Sequence, residues 1–142
     1  MLGFERLLEH QLEDIGRIAR EVDDPGEALA GMLSQHLAFS LDAGHRLAAW
    51  EQEFRDLPPE VAWRLRRLQR LYVEEWVNVL ARMRRDLSDG EARAAVHAAM
   101  ALLQSAAAHR SGLDPEEVAG VLCSMAMAAL RGSEPDRSRS GA

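Results

Sequence analysis

Apolar side chains return every three or four positions along most of the chain, and strict alternation is sustained nowhere. That period belongs to amphipathic helices, not to half-buried strands. Phe4, Leu7, Leu8, Leu12, Ile15, Ile18, Ala19 and Val22 form a first stripe, with Glu5, Glu9, Glu13, Arg17 and Arg20 on the other side. Asp23-Asp24-Pro25-Gly26 ends that helix and starts another. Asp24 suits the N-cap, and Pro25 suits the first turn, where a missing N–H leaves no bond unmade.

The second helix is expected from Pro25 to Leu41, with Leu29, Met32, Leu33, His36 and Ser40 along one side. Asp42-Ala43-Gly44 reads as a break or kink, followed by a short third helix from His45 to Phe54 carrying Leu47, Trp50 and Phe54. Leu57-Pro58-Pro59-Glu60 opens what should be the longest helix, to about Arg85, on which Val61, Leu65, Leu68, Tyr72, Trp76, Val79 and Met83 share a face. Ser88-Asp89-Gly90-Glu91 is a capping box, in which the serine and the glutamate each satisfy the other's free N–H. Its helix should run to about His109. Asp114-Pro115-Glu116-Glu117 caps a last helix ending near Leu130. Six short-linked helices without an internal repeat predict an all-α bundle. The ordered domain should span residues 1–131, and the Ser-, Arg- and Gly-rich segment 132–142 should be a disordered tail.

The last two helices lack a charged face. On the final one, Val118, Leu122, Met125, Ala126 and Ala129 form a large stripe, while Gly120, Ser124 and Met127 occupy the opposite side. The preceding helix has one face of Ala95, Ala99, Leu102, Leu103 and Ala106 and a second of Ala94, His97, Ala101, Gln104 and Ala108. A helix apolar all round must be covered all round, either inside one domain or by a partner. The expectation is a two-fold homodimer, with Ala94, His97, Ala101, Gln104, Ala108, Gly120, Ser124 and Met127 in an intersubunit four-helix bundle.

Composition narrows the function. The chain has 142 residues and a formal charge of −6, and all 17 basic residues are arginine. A net acidic chain lacks the clustered positive field that phosphate backbones require. The single cysteine, Cys123, excludes an internal disulfide and a cysteine-based zinc site. No apolar run has the length to span a bilayer and no signal peptide opens the chain, so a cytoplasmic protein is expected.

Catalytic motifs are missing. There is no Gly-x-Ser-x-Gly elbow, glycine-rich phosphate loop or His-Glu-x-x-His, and no histidine follows a glutamate by three residues as di-iron bundles require. Asp42 and His45 have that spacing only across the expected break. No enzyme activity, metal or cofactor is expected. His36 lies at the centre of an apolar stripe and reads either as a core histidine bonded to a carbonyl or as a ligand contact. Tyr72 and Trp76, one turn apart, would line either the core or a cavity. With Met32, Phe39, Trp50 and Met100 they could form an apolar pocket with few polar groups, as in small-molecule sites of bundles. Trp63 points away from its helix's stripe, beside Arg67 and Arg70, and could cap the short third helix or stack under an arginine. The run Arg64, Arg66, Arg67 and Arg70, balanced by Glu74 and Glu75, reads as a solvated face.

Three stretches, Leu57-Pro58-Pro59-Glu60, Arg67 to Val77 with Tyr72-Val73-Glu74-Glu75-Trp76 at its centre, and Arg84 to Ala99 around Asp86-Leu87-Ser88-Asp89-Gly90-Glu91, resemble the C-terminal regulatory domain of tetracycline-repressor (TetR) family regulators. The likeness runs from Phe4 to Leu130, and the chain is similar to members with lipid-like or acyl-thioester effectors. It implies an effector-sensing and dimerisation domain, with a mostly apolar small molecule between the first, second, fourth and fifth of the six expected helices. Met32, His36, Phe39, Trp50, Tyr72, Trp76 and Met100 would surround it. The family's helix-turn-helix head has no counterpart here, so DNA would be reached only through a domain absent from this chain. A headless module that heterodimerises with an intact regulator and inhibits it is the alternative expectation.

Overall fold

The computed structural model describes the backbone of residues 2–53, 56–108 and 112–132, and the side chains of those residues except 2, 43–53, 107 and 108. Among the described residues five helices follow one another: α1 (Leu2–Glu21), α2 (Pro25–Glu53), α3 (Pro59–Met83), α4 (Asp89–Ala108) and α5 (Pro115–Arg131). Among the described residues there is no strand, and no helix is long and apolar enough to cross a membrane. The tail expected at 132–142 lies outside the described residues from 133 onward.

Five helices replace the expected six because α2 continues through Asp42-Ala43-Gly44. One glycine costs a helix only about 1 kcal/mol relative to alanine, and no proline interrupts the backbone ladder. The expected second and third helices are thus one element of 29 residues, and α2, not α3, is the longest. Three of the four described helix starts that follow a break carry a side-chain cap, and α3 opens on Pro58 without one. Asp24 accepts the Glu27 N–H at 2.9 Å, and Asp114 accepts the Glu117 N–H at 2.9 Å. Ser88 and Glu91 exchange bonds at 2.9 and 3.1 Å, completing the capping box.

α2 runs through the centre and packs against all four other helices. Ala28, Leu29, Met32, Leu33, His36, Leu37 and Ser40 are its buried stripe. Ile15 meets it from α1, Trp76, Val77, Val79 and Leu80 from α3, and Val96, Ala99, Met100 and Leu103 from α4. α5 closes the core with Ala126 and Leu130, supported by Ala119, Leu122, Cys123 and Met127. The buried face of α5 is therefore rotated from the expected stripe: Met125 is 54% exposed, and Met127 packs against the core. On a helix with two apolar faces, the pattern alone does not select which one turns inward.

One end of the bundle is tied by arginines. Arg84 forks onto both Asp86 carboxylate oxygens, at 2.9 and 2.8 Å, and donates to the Leu130 and Arg131 carbonyls that end α5. Arg82 donates to the Asp23 carbonyl in the α1–α2 turn at 2.7 Å. Gly132 follows α5 with φ +60°, and a Cβ there would lie 2.7 Å from the Arg84 guanidinium.

Candidate functional site

At the other end a partly open cavity of about 280 Å³ lies between α1, α2, α3 and α4. Helical spacing brings its lining together. α1 supplies Leu8 and Gln11, one turn ahead of Ile15, and α2 supplies His36, Phe39 and Ser40. Leu68, Gln69, Tyr72 and Val73 come from α3, and His97, Met100 and Gln104 from successive turns of α4. Gln11, His36, Ser40 and Met100 are buried, whereas Gln69, His97 and Gln104 are exposed and form the rim. These four helices are the counterparts of the first, second, fourth and fifth segments expected from the sequence.

Polar groups on the floor are joined across helices. Gln11 Nε2 donates to the Tyr72 oxygen at 3.2 Å, and that hydroxyl lies 2.6 Å from His36 Nδ1. The tautomer that leaves the hydroxyl hydrogen with an acceptor has Tyr72 donating to Nδ1, and in it neutral His36 carries its proton on Nε2. Burial pulls the His36 pKa down to about 4, so the ring is neutral at neutral pH. Burial also pushes the Tyr72 phenol up to about 12, against the opposing influence of Gln11 and of the nearby Trp76 indole. Trp76 stands edge-on to His36 with ring centroids 5.9 Å apart, and Tyr72 and Trp76 centroids are 6.2 Å apart. Among the described residues, neither His36 Nε2 nor Trp76 Nε1 has a partner within hydrogen-bond distance and angle, although both are buried.

Of the residues expected around a ligand, His36, Phe39, Tyr72 and Met100 border this cavity. Met32 and Trp76 do not; both are fully buried in the core behind it. The Trp50 side chain lies outside the described residues. Gln11, Leu8, Ser40, Leu68, Gln69 and Val73 were not among the expected contacts. Gln11 carried a readable signal, a polar residue in the apolar register of α1 between Leu8 and Ile15.

Residues expected at a dimer interface divide into three groups. Ala94, Ala101, Gly120 and Ser124 are exposed. His97 and Gln104 are exposed too, but they also border the cavity. Met127 is half-buried against the subunit's own core, and the Ala108 side chain lies outside the described residues.

The arginine-rich face of α3 is largely tied up. Arg64 pairs with Glu5 of α1 at 3.1 Å, and the Arg67 guanidinium lies 5.7 Å over the Trp63 ring. Trp63 is therefore stacked under an arginine while remaining 56% exposed. Among the described residues no group of three or more His, Cys, Asp and Glu side chains comes within reach of one metal ion. No family model matches the sequence, and no curated protein does so either.

Proposed function

We propose that this chain is the effector-sensing and dimerisation unit of a TetR-like transcriptional regulator. Its effector is a mostly apolar small molecule, lipid-like or the acyl part of a thioester. The observation that carries the reading is the partly open cavity, walled by Leu8, Phe39, Leu68, Val73 and Met100 and floored by the His36–Tyr72 pair. Apolar walls with a few fixed polar groups are the usual make-up of a small-molecule site. A ligand-free interaction module would fill this space with side chains, so the cavity favours the sensor.

Leu8 and Gln11 make α1 part of the wall. A molecule that fits better with α1 in one tilt than in another shifts the population toward that tilt, and only such a difference in affinity does so. α1 corresponds, in the resemblance, to the helix leading from a DNA-binding head. Dimerisation would use α4 and α5, which pack on each other and leave small or apolar residues such as Ala98, Ala101, Val121 and Met125 exposed. Since His97 and Gln104 belong to both the cavity rim and that face of α4, a second subunit would stand next to the mouth of the pocket.

Native mass spectrometry of the full chain purified from its host tests both parts. The expected spectrum is a dimer retaining an apolar molecule released by denaturation. A monomer at micromolar concentration with no bound mass, and no gain in thermal stability from any apolar compound, would overturn the proposal.

A further inference from the structure

We infer that the pocket selects an uncharged molecule whose polar end is a hydrogen-bond acceptor, such as the carbonyl of an ester, lactone or ketone. This deepens the reading above and rests on it.

The first support is electrostatic. Among the described residues, no carboxylate and no guanidinium lines the cavity; its polar groups are amides, a hydroxyl, a phenol and imidazoles. A carboxylate ligand would lose its hydration there without gaining a fixed cation, and an ammonium would lose its own without gaining an anion. His36 does not supply the missing positive charge at neutral pH, because its burial opposes protonation.

The second support is the count of donors and acceptors on the floor. Gln11 and Tyr72 satisfy each other and Nδ1, which leaves the Nε2–H of His36 buried with no acceptor. Buried donors without acceptors are costly, and an incoming oxygen relieves what a hydrocarbon cannot. Nε2 is sealed from solvent, so engagement turns the His36 ring toward the cavity that it borders. Gln69 and Gln104 at the rim tolerate either a donor or an acceptor, and the third rim residue, His97, is exposed to water and is not part of the desolvated floor.

The test displaces an apolar fluorophore, N-phenylnaphthylamine, from the full-length protein at neutral pH with three compounds of similar length. Methyl octanoate is uncharged with an acceptor, octanoate is charged, and nonane has no acceptor. The ester is expected to compete with a Kd about tenfold or more below those of the other two, the scale of one well-made bond to a buried donor. His36→Leu should narrow the ester-over-nonane preference to about twofold or less, within the scatter of uniform apolar binding. Should that variant not fold, the wild-type His36 Nε2–H resonance supplies the same test. It should move downfield with methyl octanoate and stay with nonane. Octanoate or nonane competing as well as the ester overturns this inference and leaves the pocket reading intact. Failure of the fluorophore and all three compounds to bind overturns the pocket reading, and this inference with it.

Discussion

The Tyr72 hydroxyl lies 2.6 Å from His36 Nδ1, and Gln11 reaches the same oxygen from a third helix. α1, α2 and α3 are thus joined through polar contacts where the apolar core gives way to the cavity. A single oxygen registers the three helices against one another, so a change at any one of them is felt by the other two. That arrangement suits a site whose occupancy has to be sensed by α1.

The buried imidazole makes stability depend on pH. Unfolded histidine titrates near 6.5, while folded His36 is pulled down to about 4 by burial. Between those values the unfolded chain binds more protons, so this contribution is complete above about pH 6.5 and is lost as pH falls toward 4. The loss is on the order of 3 kcal/mol, taking about 1.4 kcal/mol per pH unit. Around the ring stand Gln11, Tyr72 and Trp76, none of them charged at these pH values. Urea unfolding across that range should show the fall, and His36→Gln should flatten it. An equal slope in the variant would contradict the assignment.

Two leucines of α3 should separate core from surface. Leu80 is fully buried, and Leu80→Ala should cost about 2–5 kcal/mol, the range for a core truncation that leaves a cavity. Leu71 is 41% exposed, so Leu71→Ala should stay within about 0.5 kcal/mol of the wild type. Chemical denaturation of both variants checks the pair.

The cap of α4 offers a smaller effect. Ser88→Ala removes the acceptor for the Glu91 N–H and should cost about 1 kcal/mol. Restoring a cap with Ser88→Asp should recover most of it, which thermal unfolding of the two variants will show.

Met125→Glu tests the proposed dimer face without disturbing the subunit. The side chain is 54% exposed, so the effect on folding should be within about 0.5 kcal/mol. A charge placed in an apolar intersubunit contact should nonetheless raise the dimer Kd by about tenfold or more. Sedimentation equilibrium distinguishes this from an unchanged assembly, which would move the interface elsewhere.

The sequence made the helices easy to read and their joins harder. Asp24, Ser88 and Asp114 act as caps because each is followed three residues later by an N–H that needs an acceptor, a local relationship visible in the letters. Asp42-Ala43-Gly44 misleads because glycine permits a break without forcing one, and α2 runs on through it. His36 and Tyr72 could be singled out as polar positions in apolar stripes. Their mutual contact could not, because it depends on how α2 and α3 are rotated. For the same reason Trp76 falls behind the cavity wall rather than on it, and Met125 and Met127 exchange the surroundings expected of them.

The arginine ties at the far end decide where the molecule can give. Arg82 pins the α1–α2 corner, and Arg84 fastens the end of α5 to the residues just after α3. At the opposite end, where Leu8, Phe39, Leu68 and Gln104 meet, the described tie is a single ion pair, Arg64 of α3 with Glu5 of α1. The bundle is built like forceps, with its rivet at one extremity and the cavity between its arms. Amide exchange should then be slow around Leu80 and Ala126 and fastest at the jaws. A guest held between those jaws would displace the start of α1 more than its end, turning a small widening into a swing.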